Sequence, residues 1–178
     1  MASVFGHVAV AYAMGKTLNS ARASARFWVW TVLCCVLPDA DVVGLMFGIP
    51  YEHMLGHRGL THSIAFAMLL GILVPKYAVP AVPCWSVRYG KIGIYFGLVT
   101  MSHGLLDALT DGGLGIAFFA PFDETRYFFP WRPLTVSPIG VADFFSSWGL
   151  GVLISELIWI GLPVNVWLLG HRIFRRTG

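Results

Sequence analysis

Four stretches of roughly 20 mainly apolar residues, Phe27–Gly48, Leu60–Val79, Lys91–Asp111 and Trp148–Gly170, constrain this chain more than any other feature. Each is long enough to cross a lipid bilayer as a helix. A fifth stretch, Ala2–Gly15, reads as helix but reaches only about 21 Å, so it is half-embedded or crosses a thin region. Composition agrees: 57% of the 178 residues are hydrophobic and 12% charged, where a soluble domain carries about 25% charged residues. One soluble core has no room for so much Trp, Phe, Leu and Val. An ordinary cytosolic enzyme, a disordered chain and a nucleic-acid binder are thereby excluded. The expectation is one all-α domain over residues 1–178, a polytopic membrane bundle of four to five transmembrane or half-embedded helices. Gly112–Val141, rich in Phe, Pro and Trp, reads as an interfacial loop.

The basic residues give an orientation. Lys16, Arg22 and Arg26 fall between the first two segments, Lys76, Arg88 and Lys91 between the third and fourth, and Arg172, Arg175 and Arg176 after the last. Those loops alternate and share one side; Arg58, Arg126 and Arg132 are left for the other. The positive-inside rule then predicts a cytoplasmic C-terminus. No cleavable leader is expected, because Met1–Gly15 lacks a basic start. Adjacent Cys34 and Cys35 read as core packing, and Cys84 lies in a loop.

Polar groups interrupt the apolar segments. Asp39 and Asp41 break the second, His62 opens the third, His103 and Asp107 sit in the fourth and Glu156 in the fifth. Ionisable groups in spanning helices are costly and mark functional paths. Counting from the basic ends at 1.5 Å per residue puts His7 about 13 Å in, Asp39 and His103 about 18 Å, and Asp107 and Glu156 about 24 Å. With His57 and His62 at the mouth of the third segment, His7, Asp39, Asp41, His57, His62, His103 and Asp107 converge in the outer half of the bilayer. His103 and Asp107, four apart, share one helical face. Pro38 breaks the helix before Asp39 and Asp41, letting both carboxylates aim at one cavity. Four histidines and three carboxylates make a mixed nitrogen and oxygen shell that suits zinc, or manganese or iron. Seven groups are too many for one tetrahedral ion, which favours two metals bridged by a carboxylate. His53 and His171 are assigned to the interface or solvent.

The histidine at position 7, LPDAD at Leu37–Asp41, HRGLTHS at His57–Ser63, SHGLLDALTDGG at Ser102–Gly113 and APF at Ala120–Phe122 together resemble the YdjM-like family of bacterial inner-membrane, metal-dependent hydrolases. The likeness covers most of the chain. That family is in turn similar, distantly, to zinc-dependent phospholipase C. The resemblance implies an inner-membrane location, His7, Asp39, His57 or His62, His103 and Asp107 as ligands, and Asp107 as a bridge between metals. The phospholipases add a His-x-x-x-Glu pair for a third metal; here Glu156 has Val152 four residues before it. One to two ions are therefore expected.

The chain has no His-Glu-x-x-His of a zinc protease and no Gly-x-Ser-x-Gly elbow of a serine lipase. The expected chemistry is hydrolysis of a phosphoester in a lipid head group by metal-activated water, with membrane lipid as both environment and substrate and with no nucleic acid. Asp39 or Asp41 would orient or deprotonate the water. Arg58 would bind phosphate, Arg126 and Arg132 would recruit an anionic head group, and Glu156 would orient a ligating histidine. The alternatives are a metal transporter or other non-enzymatic metal-binding membrane protein, and a metal-dependent amidase or deacylase using the same ligands.

Overall fold

The computed structural model describes residues 1–18 and 23–177. Among them the architecture is helical with no strands, only two isolated bridges. Six helices build it: α1 (Val4–Leu18), α2 (Ala25–Val36), α3 (Ile64–Ala78), α4 (Val87–Ala108), α5 (Ser147–Glu156) and α6 (Leu162–Thr177). Serine caps start four of them. The Ser24, Ser63, Ser86 and Ser146 side chains accept from Phe27, Phe66, Tyr89 and Trp148 N–H, satisfying donors that a helix start leaves without partners. Arg22 lies outside the described residues.

Proline sets the irregularities. Pro38 opens a 3-10 segment, Leu37–Val42, that extends α2 into a last helical turn at Val43–Met46. Pro163 has no N–H to give and crowds the preceding turn, and the chain widens into a π-turn, Leu157–Gly161, between α5 and α6. Two helical runs, Ala25–Met46 and Ser147–Arg175, are long and apolar enough to cross a membrane. The sequence expectation was four to five. Helices α1 and α3 have 15 residues each, about 22 Å of rise, and α4 carries Arg88, Lys91 and Asp107 within its 22 residues.

The helices run in register. Phe27 on α2 stacks on Tyr95 of α4 at 5.0 Å, and Thr31 pairs with the Tyr95 hydroxyl at 2.9 Å. Farther on, Cys35 carbonyl meets His103, so α2 and α4 run parallel. Cys34 and Cys35 are free, buried thiols in this core, as their apolar setting predicts. Helices α3 and α4 touch through glycine. A Cβ on Gly71 would lie 2.8 Å from Gly93 carbonyl oxygen and 3.3 Å from Gly97 Cα. Gly71→Val should force the pair apart and cost about 1–3 kcal/mol, read as a lowered denaturation midpoint in detergent.

The segment from Gly112 to Val141 has no helix until a single turn at Val141–Phe144, and it folds over the end of the bundle where α2 and α4 finish. Its backbone is tied down throughout: Phe118 carbonyl caps Ile64, Phe129 N–H bonds Ala108, and Ser137 N–H bonds Met1. Phe122 and Phe145 are exposed, and Trp131 packs edge-on against Trp159 of the π-turn at 4.9 Å. That is the aromatic, irregular cover read from the sequence.

Candidate metal centre

Three elements bring four polar residues to one point beneath this cover. The 3-10 segment after α2 supplies Asp39, the Leu60–His62 turn supplies His62, and the last turns of α4 supply His103 and Asp107. One ligating atom from each lies within 4.8 Å of the other three. His103 Nε2 is 3.3 Å from Asp39 Oδ1 and 4.0 Å from Asp107 Oδ2; His62 Nε2 is 3.7 Å and 3.6 Å from the same atoms. Donors bound tetrahedrally at about 2.1 Å from one ion lie about 3.4 Å apart, so this spacing is that of co-ligands.

These four atoms are buried and none has a hydrogen-bond partner. Among the described residues, every such orphaned side-chain atom except His171 Nε2 belongs to this cluster or its immediate neighbours His7, His57 and Arg58. Buried polar atoms are almost always satisfied. So dense a concentration of exceptions marks a place built for a further partner.

The opposite ring nitrogens are fixed from behind. Cys35 carbonyl takes His103 Nδ1 at 2.6 Å, and Asp41 Oδ2 lies 3.2 Å from His62 Nδ1. A carbonyl or carboxylate behind one imidazole nitrogen sets the tautomer that leaves the other free to ligate. Asp41 does this twice: its Oδ1 holds His57 Nδ1 at 2.6 Å, while Thr61 hydroxyl and Arg58 N–H donate to Oδ2 at 2.6 and 3.1 Å. Asp41, His57 and His62 form a second group that can hold an ion. Its 2.6 Å Asp41–His57 separation is a hydrogen bond, shorter than co-ligand spacing. In the 3-10 segment Asp39 and Asp41 diverge, and they reach His62 from its two sides.

His7 lies flat on His103, ring centroids 3.7 Å apart, with Nε2 3.4 Å from Asp107 Oδ1. It borders the four-atom pocket, outside the ligand groups. Asp107 Oδ1 accepts Ala2 N–H at 2.6 Å.

Arg58 differs from the phosphate grip expected of it. Its side chain is fully buried, its Nη1 and Nη2 donate to Gly112 carbonyl and Thr110 hydroxyl, and its Nε sits 3.4 Å from Asp107 Oδ2. Its side chain is turned inward, against Asp107. Its backbone has a φ of +66°, which a residue with a Cβ holds only when its surroundings impose it. Gly113, at φ +91°, leaves room for the guanidinium where a Cβ would strike Nη1.

Arg126 donates to the carbonyls of Tyr51, Glu52, His53 and His57 and so holds the loop before the centre. Arg132 lies over the Phe128 ring at 4.7 Å with its side chain exposed. Glu156 does not orient a histidine. Its carboxylate takes the N–H and hydroxyl of Ser3, because the turn before α1 packs against the end of α5. Sequence reasoning missed Thr61, Thr110 and the Cys35 carbonyl. The threonines lie inside the quoted motifs, whereas a backbone carbonyl leaves no signal in a sequence.

A cavity of about 360 Å³ adjoins the centre, with His57, Tyr51, Ser137, Asp143 and Trp148 among its walls. Fold and cluster together define a class: an all-helical protein with helices fit for a membrane, built around buried Asp and His groups that can bind a metal ion. The chain belongs to the family described as YdjM inner membrane protein, which matches residues 1–177. It is similar to inner membrane protein YbcI of Escherichia coli (strain K12), 33% identical over 181 residues and covering 99% of each chain. No solved structure matches.

Proposed function

We propose that this membrane protein is a metal-dependent hydrolase that cleaves a phosphoester of a lipid head group. The observation that carries the reading is the set of four buried, partnerless atoms of Asp39, His62, His103 and Asp107 at co-ligand spacing. Charge supports it. Asp39, Asp41 and Asp107 are three carboxylates in the cluster against one guanidinium, Arg58. With neutral imidazoles the carboxylates outnumber the guanidinium, an acidic excess that a divalent cation offsets in a setting where unpaired charge is expensive. Two imidazoles and two carboxylates suit zinc, and manganese or iron next.

A divalent ion held here would supply one thing, a water whose pKa is lowered to about 7 and which could act as nucleophile at neutral pH. The protein's own groups do the rest. Asp39, Asp107, His62 and His103 would hold the ion; Asp41 keeps His62 and His57 in the tautomers their positions require. Both oxygens of Asp41 are engaged, so it orients and does not deprotonate. His57 Nε2 has no partner and its ring lines the cavity; with Nδ1 donating to Asp41, the neutral ring offers a free Nε2 that would take a proton from the attacking water and return it to the leaving oxygen. Exposed aromatic side chains at this end favour the head-group depth of a bilayer, and the positive-inside rule puts that end in the outer leaflet. Of the outer arginines, Arg132 is the one placed to meet an anionic head group.

The test is metal analysis of protein purified in detergent without chelator, together with release of phosphorylated head group from phospholipid micelles. About one transition-metal ion per chain is expected. A metal-free protein, or a loaded one that cleaves no phosphoester, overturns the proposal. Asp41→Asn should weaken metal retention by about 10–100-fold while leaving the four ligands in place, measured by competition with a chelator. A second reading, metal binding without turnover, draws on one feature: four protein ligands fill a tetrahedral shell, as structural sites do. Full loading with no hydrolysis of phosphoester, ester or amide lipids would favour it.

A further inference from the structure

Charge divides this chain between its two ends. All nine acidic residues, from Asp39 to Glu156, lie at the end of the metal centre or in its covering loops. Seven of the described basic residues lie toward the opposite end: Lys16 closes α1, Arg26 opens α2, Lys76 closes α3, Arg88 and Lys91 open α4, and Arg172 and Arg175 close α6. Among the described residues none of these cations has a carboxylate within ion-pair distance. Counter-charge has to come from outside the protein.

At this end a cavity of about 410 Å³ opens between the first turns of α4, Leu18 at the end of α1 and Phe27 on α2. Arg88 and Lys91, three apart and so on one helical face, stand in its wall; Phe27, Ile94, Tyr95 and Leu98 supply apolar lining. Tyr95 spends its hydroxyl on Thr31 and shows the cavity a ring. The site thus pairs two uncompensated cations with an apolar slot, one helical turn deeper along α4. That is the amphipathic profile of a phospholipid: phosphate at the surface, acyl chain below.

We propose that this cavity binds an anionic phospholipid, its phosphate between Arg88 and Lys91 and the start of an acyl chain against Phe27, Ile94 and Leu98. The site is separate from the metal centre and does not rest on the hydrolase reading. It fixes the basic end of the bundle at one membrane surface, through a particular lipid and not only through diffuse attraction. Each cation near an anionic surface contributes about 5-fold in affinity, so the pair contributes about 30-fold.

The test is native mass spectrometry of the full-length protein with equimolar phosphatidylglycerol and phosphatidylcholine of matched chains. Retained phosphatidylglycerol should exceed phosphatidylcholine by at least about 10-fold, and Arg88→Gln/Lys91→Gln should lose most of that preference. Both residues are exposed, so the double variant tests binding and not folding. Arg172→Gln/Arg175→Gln, on α6, should keep the preference. Equal retention of the two lipids overturns the proposal. So does an unchanged preference in the Arg88/Lys91 variant, an equal loss in the α6 variant, or displacement of the lipid by millimolar inorganic phosphate.

Discussion

His103→Ala should empty the metal centre and abolish hydrolysis. The imidazole is fully buried, with Nδ1 held by Cys35 carbonyl at 2.6 Å and Nε2 3.3 Å from Asp39. No other side chain can replace it: His7, the nearest, is stacked on His103 and directs Nε2 to the far oxygen of Asp107. Removing a partner behind a ligand costs about 10–100-fold in metal affinity, and removing the ligand itself should cost more. The variant should therefore leave a desalting column with metal near the blank and turnover at background. Elution as a single monodisperse peak would separate loss of metal from loss of fold. Metal content equal to that of the unaltered protein would defeat the assignment of His103 as a ligand. It would also remove the main support for the four-residue pocket.

What the sequence disclosed of this centre was membership, and what it hid was the division of labour. Depth counting, with His57 and His62 at the mouth of the third segment, put His7, Asp39, Asp41, His57, His62, His103 and Asp107 in one half of the bilayer, and the structure gathers all seven. Counting along a helix says nothing about which ring nitrogen faces inward. The 3-10 geometry after Pro38 sends Asp39 into the pocket and Asp41 behind it, a separation invisible while both are simply acids past a proline. The setting of Arg58 was hidden for a similar reason. Flanked by two histidines, it reads as a phosphate ligand; the positive φ that turns it toward Thr110 and Gly112 is a property of the folded loop. Helix positions were legible because apolar runs are local. The number of crossings was not, since length alone cannot distinguish a full span from the 15 residues of α1 or α3.

Arg58→Met should produce the largest loss of stability of any substitution in the chain. Arg58 and Asp107 are both fully buried, and breaking such a pair by removing one partner costs about 3–5 kcal/mol because the other charge stays behind. The same change frees Thr110 hydroxyl and Gly112 carbonyl, which anchor the turn after α4. Methionine fills similar volume, so the cost is electrostatic and polar more than steric. At about 2–4 °C per kcal/mol for a chain of this size, the apparent Tm should fall by about 10 °C. The metal supplies a further handle. On the proposed function, a divalent ion and Arg58 both compensate Asp107, so the loss should be greater after chelation than with metal bound. Thermal denaturation of both proteins, with and without chelator, completes the four measurements. An Arg58→Met penalty independent of chelator would mean that the ion, if one binds, does not sit against Asp107. The charge argument for the pocket would then fail, even with Arg58 still structural.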